Sequence, residues 1–230
     1  MPRPEDVSGR RFQDTRQPVG PVLCMISRGD AHLPGSSRDL LNRTTAAAGT
    51  GVHLIQIREP HLEAGSLARL VRLCLQAVAG TRARVIVNDR LDVALVTGAH
   101  GVHLREASPP AHLVRSASPP GFLVGRSVHS AADAARVSGE GGLDYLLFGT
   151  VFPTPSKPGT AGGGVAGLRA AVKATSLPVL AIGGVDGDRV ADVAHAGAAG
   201  FAAIRFWTMP EPELILAVRA AAAVFAHSRL

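Results

Sequence analysis

The sequence predicts a closed (β/α)8 barrel of parallel strands, and three observations support this prediction. Short apolar runs alternate eight times with Ala- and Leu-rich segments from Val22 onward, and no hairpin turn joins two runs. The runs are apolar at nearly every position, which is typical of strands that are buried on both faces. The chain has 230 residues, 46% of them hydrophobic, which is enough for one barrel. A doubly wound open sheet is the alternative, although it usually needs fewer than eight units.

The predicted elements follow each other strictly as strand and helix. The strands are Val22–Ser27, Val52–Ile57, Arg84–Val87, Gly101–Leu104, Leu123–Ser127, Tyr145–Phe148, Val179–Ile182 and Gly200–Ile204. The segments that follow them have apolar residues at helical spacing. The predicted helices are Arg38–Ala48, Ala64–Ala79, Leu91–Thr97, Pro110–Ser116, Ala131–Ser138, Val165–Ala174, Arg189–Ala196 and Glu213–Ala226.

The start of the chain differs in composition from the rest. It reads MPRPEDVSGRRFQDTRQP, which has no apolar centre and therefore is not a secretory signal. We expect a disordered tail at residues 1–20 and one barrel domain at residues 21–230, since no low-complexity linker divides the remainder. No run reaches the roughly 18 apolar residues that a membrane span requires. The sequence thus predicts a soluble, cytoplasmic protein without a membrane partner.

The net charge of +6 excludes little by itself. The arginines are spread over many segments and are not interleaved with aromatic residues, so we expect no nucleic-acid partner. A modest positive excess fits small anionic ligands at least as well. Cys24 and Cys74 lie in apolar runs without metal-ligand spacing, and we expect buried free thiols.

Candidate functional residues come from one rule of barrel architecture. Reacting groups lie at the carboxyl ends of the strands. That rule selects Gln56, Arg58, Asn88, Asp89, His103, Ser127, His129, the loop Thr154–Lys157, Gly183, Gly184, Ile204 and Arg205.

The stretch from Leu143 to Gly164 changes abruptly from strand-like to loop-like composition. It reads LDYLLFGTVFPTPSKPGTAGGG. Thr154, Ser156 and Lys157 supply two hydroxyls and one cation among residues that favour a loop. This composition at the end of a buried strand predicts a phosphate-binding loop that closes over the site.

A second predicted phosphate site lies after the seventh and eighth strands. In AIGGV, Gly183 and Gly184 let a ligand approach the backbone, and the following helix offers amide groups. Ile204 ends the eighth strand, and the guanidinium of Arg205 would add a charged contact to the same anion. The alternatives are a plain tight turn for the glycines and an outward-facing ion pair for Arg205.

Polar residues at the ends of the second, third and fifth strands complete the candidate set. Gln56 and Arg58 share one strand face and would contact an anionic or heteroaromatic ligand beside Asn88. Asp89 is either a Mg²⁺ ligand or a helix cap. His129 precedes a predicted helix cap at Ser130, a position that suits a group that exchanges protons.

Seven of these segments together resemble the superfamily of thiamine phosphate synthases and TenI-type thiazole tautomerases. They are QIRE, VNDR, GVHL, VGRSVHS, FGTVFPTPSKPG, AIGGV and AGAAGFAAI, in that order, over residues 22–226. The resemblance implies the same barrel and a homodimer. It also implies a thiazole phosphate as small-molecule ligand.

The two enzymes of this superfamily have different requirements. The synthase joins a pyrimidine diphosphate to a thiazole phosphate, and the resemblance implies a Lys after QxRE, two Asp ligands for Mg²⁺ and a Thr-x-Thr-Lys loop. This chain has Pro60 at the Lys position, Asp89 as the first Asp and Ser108 at the second. The loss of charge at two positions argues against diphosphate chemistry. The loop Thr154–Lys157 keeps the synthase pattern.

The motif GRSVHS is typical of the tautomerase, whose proton transfer needs no metal. The sequence interpretation is therefore an isomerase: a thiazole tautomerase without cofactor, with His129 as general acid and base. The first alternative is a Mg²⁺-dependent thiamine phosphate synthase, in which Glu106 or a neighbouring group takes the role lost at Ser108. The second alternative is a non-catalytic protein that binds a thiazole phosphate or thiamine phosphate as a regulator.

Overall fold

The computed structural model describes residues 21–154 and 162–228, and these form a closed barrel of eight parallel strands. The strands are β1 Val22–Ile26, β2 Leu54–Ile57, β3 Arg84–Asn88, β4 Gly101–Leu104, β5 Leu123–Val128, β6 Tyr145–Gly149, β7 Val179–Ile182 and β8 Gly200–Ala203. Each strand pairs with the next, and β1 pairs with β8 in parallel register from Val22 opposite Gly200 to Met25 opposite Ala203. The predicted (β/α)8 barrel is confirmed.

Helices follow the strands on the outside of the barrel. They are α1 Ser36–Gly49, α2 Ala64–Ala77, α3 Leu91–Thr97, α4 Ala111–Ser116, α5 Ala131–Gly139, α6 Gly164–Lys173, α7 Val190–His195 and α8 Glu211–His227. Two 3-10 helices, Gly187–Arg189 and Arg205–Thr208, were not predicted. Among the described residues, no helix is long and apolar enough to cross a membrane. The homodimer stays a prediction.

Two apolar layers hold the barrel together. The outer layer lies between strands and helices and contains residues such as Leu23, Ile55 and Val85, all of which are buried. The inner layer fills the barrel and contains residues of the alternate strand positions, such as Cys24, Leu54 and Ile86. This alternation is the period of two that a strand imposes. Cys24 and Cys74 are buried free thiols, as predicted.

The same alternation sets the position of the polar residues in the barrel. Gln56 lies two residues beyond Leu54 on β2, and Asn88 lies two residues beyond Ile86 on β3. Both polar residues therefore face the barrel interior, one layer closer to the carboxyl ends of the strands. The inner wall changes from apolar to polar at this level, which is where a cavity opens.

Candidate active site

A cavity of about 430 Å³ lies at the carboxyl end of the barrel. Strands β1, β6, β7 and β8 contribute apolar or backbone surface to its wall, and strands β2 to β5 contribute polar side chains. It is lined by Ile26, Gln56, Arg58, Asn88, His103, Arg105, Glu106, Ala107, Ser127, His129, Leu147, Gly149, Thr150, Thr154, Ile182, Gly183, Gly184, Val185, Ala202, Ala203, Ile204 and Arg205. This volume lies within the range of small-molecule sites, which is about 300–1,000 Å³.

Two side-chain amides form one side of the cavity. Gln56 Nε2 donates a hydrogen bond of 2.9 Å to Asn88 Oδ1 across the β2–β3 pair. Gln56 is only 2% exposed, and its Oε1 is buried without a hydrogen-bond partner among the described residues. A buried acceptor without a donor is costly, so this oxygen favours a ligand that brings an N–H or O–H.

A buried histidine forms the floor beside the amides. His103 Nε2 lies 2.9 Å from Ser127 Oγ, and its Nδ1 lies 3.3 Å from the hydroxyl of Tyr145. Burial lowers the pKa of His103 to about 3, with the charge of Arg126 adding to the shift and the Asp89 carboxylate opposing it. His103 is therefore a neutral imidazole that orients the Ser127 hydroxyl at the cavity wall.

His129 lies just beyond β5, at the start of α5, and its ring borders the cavity. Its Nδ1 contacts the carbonyl oxygen of Gly149 on the neighbouring strand β6. Because a carbonyl oxygen only accepts, Nδ1 is the donor in this contact. The predicted cap is confirmed, since Ser130 Oγ accepts from the Asp133 amide at 3.0 Å.

Gly183 and Gly184 form the side of the cavity opposite the amides, because β7 lies four strands from β3 in the closed barrel. Their φ angles are 100° and 64°, values that favour glycine. A Cβ on Gly183 would lie 2.6 Å from Thr150 Cγ2. Arg205 begins a 3-10 helix after β8 and its exposed side chain lines the cavity. The helix expected to support these glycines, α7, has only six residues.

Asp89 lies at the rim, between the ends of β3 and β4. Its Oδ2 accepts 2.6 Å from Arg105 Nε and also contacts the terminal guanidinium nitrogen Nη2. Its Oδ1 accepts from the hydroxyl of Ser108. Asp89 has a φ of 58°, and its amide donates to the His103 carbonyl. Asp89 does not cap α3, because that helix has no side-chain cap.

The residues around Asp89 do not fit the two-carboxylate Mg²⁺ site that the resemblance implies. Both oxygens of Asp89 already accept from Arg105 and Ser108, and a guanidinium is a permanent cation that repels a second cation. No three His, Cys, Asp or Glu side chains within residues 21–154 and 162–228 come together as a metal site. Mg²⁺ prefers carboxylate oxygens, and Ser108 stands at the position where the resemblance implies the second Asp.

A buried arginine holds the rim segment in place. Arg126 points outward from β5, where it is only 4% exposed. Its guanidinium donates to the carbonyls of Glu106 and Ser108, at 3.5 and 3.2 Å, and also to that of Pro109. These bonds fix the loop that carries Arg105 and Ser108. The loop is thereby part of a rigid wall.

The structure brings most predicted site residues together. The predicted residues that line the cavity are Gln56, Arg58, Asn88, Ser127, His129, Thr154, Gly183, Gly184, Ile204 and Arg205. Ser156 and Lys157 lie outside the described residues. Asp89 contacts the wall through Arg105 but does not line the cavity itself.

Sequence reasoning missed Arg105 as a site residue. It comes directly after β4, where the rule of strand ends would have selected it. The rule of strand ends did select His103, which lines the cavity and supports the site through its hydrogen bond to Ser127.

Comparison with known proteins places these residues in a family. A family model described as thiamine monophosphate synthase matches residues 23–206. The thiamine-phosphate synthase of Methanoculleus marisnigri is 41% identical over 171 residues, which cover 74% of this chain and 81% of that protein. The thiamine-phosphate synthase of Moorella thermoacetica is 38% identical over 172 residues, which cover 74% and 81% respectively.

A solved structure agrees with these relatives. Thiamine phosphate pyrophosphorylase from Pyrococcus furiosus matches with a TM-score of 0.73 and 27% identity. The match covers 90% of this chain and 96% of that one.

The predicted isomerase, a thiazole tautomerase, is wrong. Relatives at 36 to 41% identity are named as thiamine-phosphate synthases, which are transferases, and none of those compared above is named as a tautomerase. The prediction weighed the charge lost at Pro60 and Ser108 but not the charge that Arg105 adds beside Asp89. The first alternative, the synthase, is favoured instead. The chain belongs to the thiamine monophosphate synthase family.

Proposed function

We propose that this protein is a transferase that joins a pyrimidine diphosphate to a thiazole phosphate and releases diphosphate, as a thiamine-phosphate synthase. The observation that carries the proposal is the division of one cavity into two opposite sides, with the Gln56–Asn88 amide pair on one and Gly183–Gly184 on the other. Two ligands of different chemistry fit these sides. The names of the relatives support the same reaction.

The amide pair suits the pyrimidine. The free Oε1 of Gln56 accepts from an amino group on the ring, and a side-chain amide matches the donor and acceptor edge of such a ring. Gln56 is held by Asn88, so the geometry is fixed before the ligand binds.

The opposite side suits the phosphate of the thiazole. Gly183 and Gly184 line the cavity without a side chain, and Arg205 lines the same side of the cavity with its guanidinium. The ring of His129, held through Nδ1 by the Gly149 carbonyl, lies in the wall between the two sides. Under this proposal His129 binds and orients a substrate and does not transfer a proton.

The chain then promotes the reaction mainly by placing two ligands against each other. The lone pair of the thiazole nitrogen forms a bond to the methylene carbon of the pyrimidine, the C–O bond to the diphosphate breaks, and its electron pair leaves with the diphosphate. Holding both reactants in one cavity accelerates such a step by proximity. Cations at the rim stabilise the charge that develops on the leaving group.

The test is formation of thiamine phosphate from the two purified substrates, followed by mass spectrometry, with diphosphate release measured in parallel. We expect equal amounts of both products. Binding of both substrates without either product would contradict the proposal and favour a non-catalytic binding protein. The surface variant Gln76→Leu on α2 is a control that should retain full activity, because Gln76 is exposed and does not line the cavity.

A further inference from the structure

The rim of the cavity carries a cation in the corner where the family pattern implies a metal. Arg105 is the first residue after β4, and its side chain is 67% exposed and lines the cavity. Asp89, at the end of β3, is 19% exposed and binds this guanidinium through one oxygen. Because β3 and β4 are neighbours, the pair bridges two strand ends.

Ser108 completes this cluster. Its hydroxyl donates to the other oxygen of Asp89 and accepts 2.8 Å from the backbone amide of Arg105. The loop is held from behind by Arg126. Asp89 is therefore fully engaged within the chain, and its negative charge is matched by Arg105.

Arg105 has N–H donors that its contacts to Asp89 do not use. A guanidinium has five N–H donors, and the contacts to Asp89 use Nε and Nη2. The remaining N–H groups are available to a ligand in the cavity that Arg105 lines. Planar N–H pairs match the oxygens of a phosphate, which explains why arginine is common at phosphate sites.

We propose that Arg105, oriented by Asp89 and Ser108, binds the diphosphate of the substrate directly and replaces a divalent cation at this position. Asp89 is then a positioning residue for a guanidinium and not a metal ligand. The inference rests on the proposed transferase function, because it names the group that receives the leaving diphosphate. It implies that the protein binds diphosphate equally well with and without Mg²⁺.

Calorimetric titration of inorganic diphosphate tests this inference on the whole protein. It is done in buffer with EDTA and again in buffer with MgCl₂. We expect the two Kd values to agree within about threefold. The variant Arg105→Gln should bind about 10 to 100 times more weakly in both buffers, since a charge-assisted hydrogen bond is lost. The variant Arg105→Lys keeps the charge and should restore part of the affinity.

A matched control lies one residue beyond Asp89. Arg90 also binds a carboxylate through two nitrogens, with Nε 2.9 Å and Nη2 2.6 Å from Asp92, but it does not line the cavity. Arg90→Gln should therefore bind diphosphate like the unaltered protein. The variant Asp89→Asn distinguishes a residue that orients Arg105 from a Mg²⁺ ligand. If Asp89 only orients Arg105, the variant should bind diphosphate more weakly, and by the same factor, in both buffers.

Three outcomes would overturn the inference. They are binding of diphosphate only in the presence of Mg²⁺, an unchanged Kd in Arg105→Gln, and a loss in Asp89→Asn that is confined to the Mg²⁺ buffer. The product assay above distinguishes this failure from failure of the proposed function. If thiamine phosphate forms only with Mg²⁺, the proposed transferase function stands and the proposed role of Arg105 is wrong. If diphosphate binding depends on Arg105 but no product forms, the role of Arg105 stands and the transferase function is wrong.

Discussion

Gln56 Nε2 and Asn88 Oδ1 are 2.9 Å apart, so that two neighbouring strands present one rigid amide pair to the cavity. The bond leaves Gln56 Oε1 as a buried acceptor. An arrangement of this kind recognises a donor on a ligand and rejects a ligand that lacks one, because the unmet acceptor would stay buried.

Replacement of Gln56 by leucine, which is of similar size, tests this recognition. We expect the KM for the pyrimidine diphosphate to rise about 10 to 100-fold, the value of one or two hydrogen bonds in a buried site. The KM for the thiazole phosphate should stay within about twofold, since that substrate is assigned to the other side. Steady-state kinetics with each substrate varied in turn measure both. Equal effects on the two KM values would contradict the assignment.

Gly183→Ala tests the opposite side. Alanine disfavours a φ of 100°, and its Cβ would lie 2.6 Å from Thr150 Cγ2. The backbone must then shift, and we expect affinity for the thiazole phosphate to fall at least about tenfold, as misplacement by about 1 Å does in other sites. Calorimetry with the thiazole phosphate measures this. Gly187→Ala is the control, because nothing lies within 4 Å of its added Cβ, and unchanged affinity in Gly183→Ala would argue against a phosphate site there.

The barrel could be predicted from sequence because its signal is local. Each strand is an apolar run of four to six residues with a helix after it, and parallel order follows from the absence of hairpins. The 3-10 helices were missed because they are single turns within short connections. Gly187–Arg189, for example, has no periodic pattern of its own.

The site could be predicted only in part. The sequence shows where each strand ends, but it does not show which side chains at neighbouring strand ends contact each other. The rule of strand ends found Gln56 and Asn88 but not the bond between them. Arg105 was missed because Ser108 was compared with a family ligand position, while the pairing of Arg105 with Asp89 depends on which strands are neighbours. The charge of a site is the sum of the charges of all its residues, whereas a comparison of motifs considers each position separately.

Gly125 makes the buried polar contact of His103 possible. It lies on β5, and an added Cβ would overlap the ring of Tyr145 on β6, whose hydroxyl reaches His103. We expect Gly125→Ala to lower the free energy of unfolding by about 1–3 kcal/mol, the usual cost of overpacking. Urea unfolding measures it. Gly139→Ala in α5 has open space around the new Cβ and should cost nothing, so equal stability of the two variants would contradict this account.

His103 also predicts how stability depends on pH. Its pKa is lowered by burial from 6.5 to about 3 in the folded protein, so that between these values the unfolded chain binds a proton that the folded chain does not. Stability therefore rises with pH in this window and is lost as the pH falls below about 6.5. A pKa shift of this size lowers the free energy of unfolding by about 2 kcal/mol when the pH falls from 7.5 to 5. His53, with a pKa of about 4, acts in the same direction.

The variant His103→Gln removes this share of the pH dependence. When the pH is lowered from 7.5 to 5, the free energy of unfolding should decrease in both proteins, and the decrease in the variant should be smaller by about 2 kcal/mol. Urea unfolding at both pH values measures the difference, which is independent of any constant loss of packing in the variant. His112→Gln changes an exposed residue of α4 and should leave the pH dependence as it was. If His103→Gln and His112→Gln lose the same free energy on acidification, His103 is not buried as a neutral ring, and the hydrogen bond that orients Ser127 loses its basis.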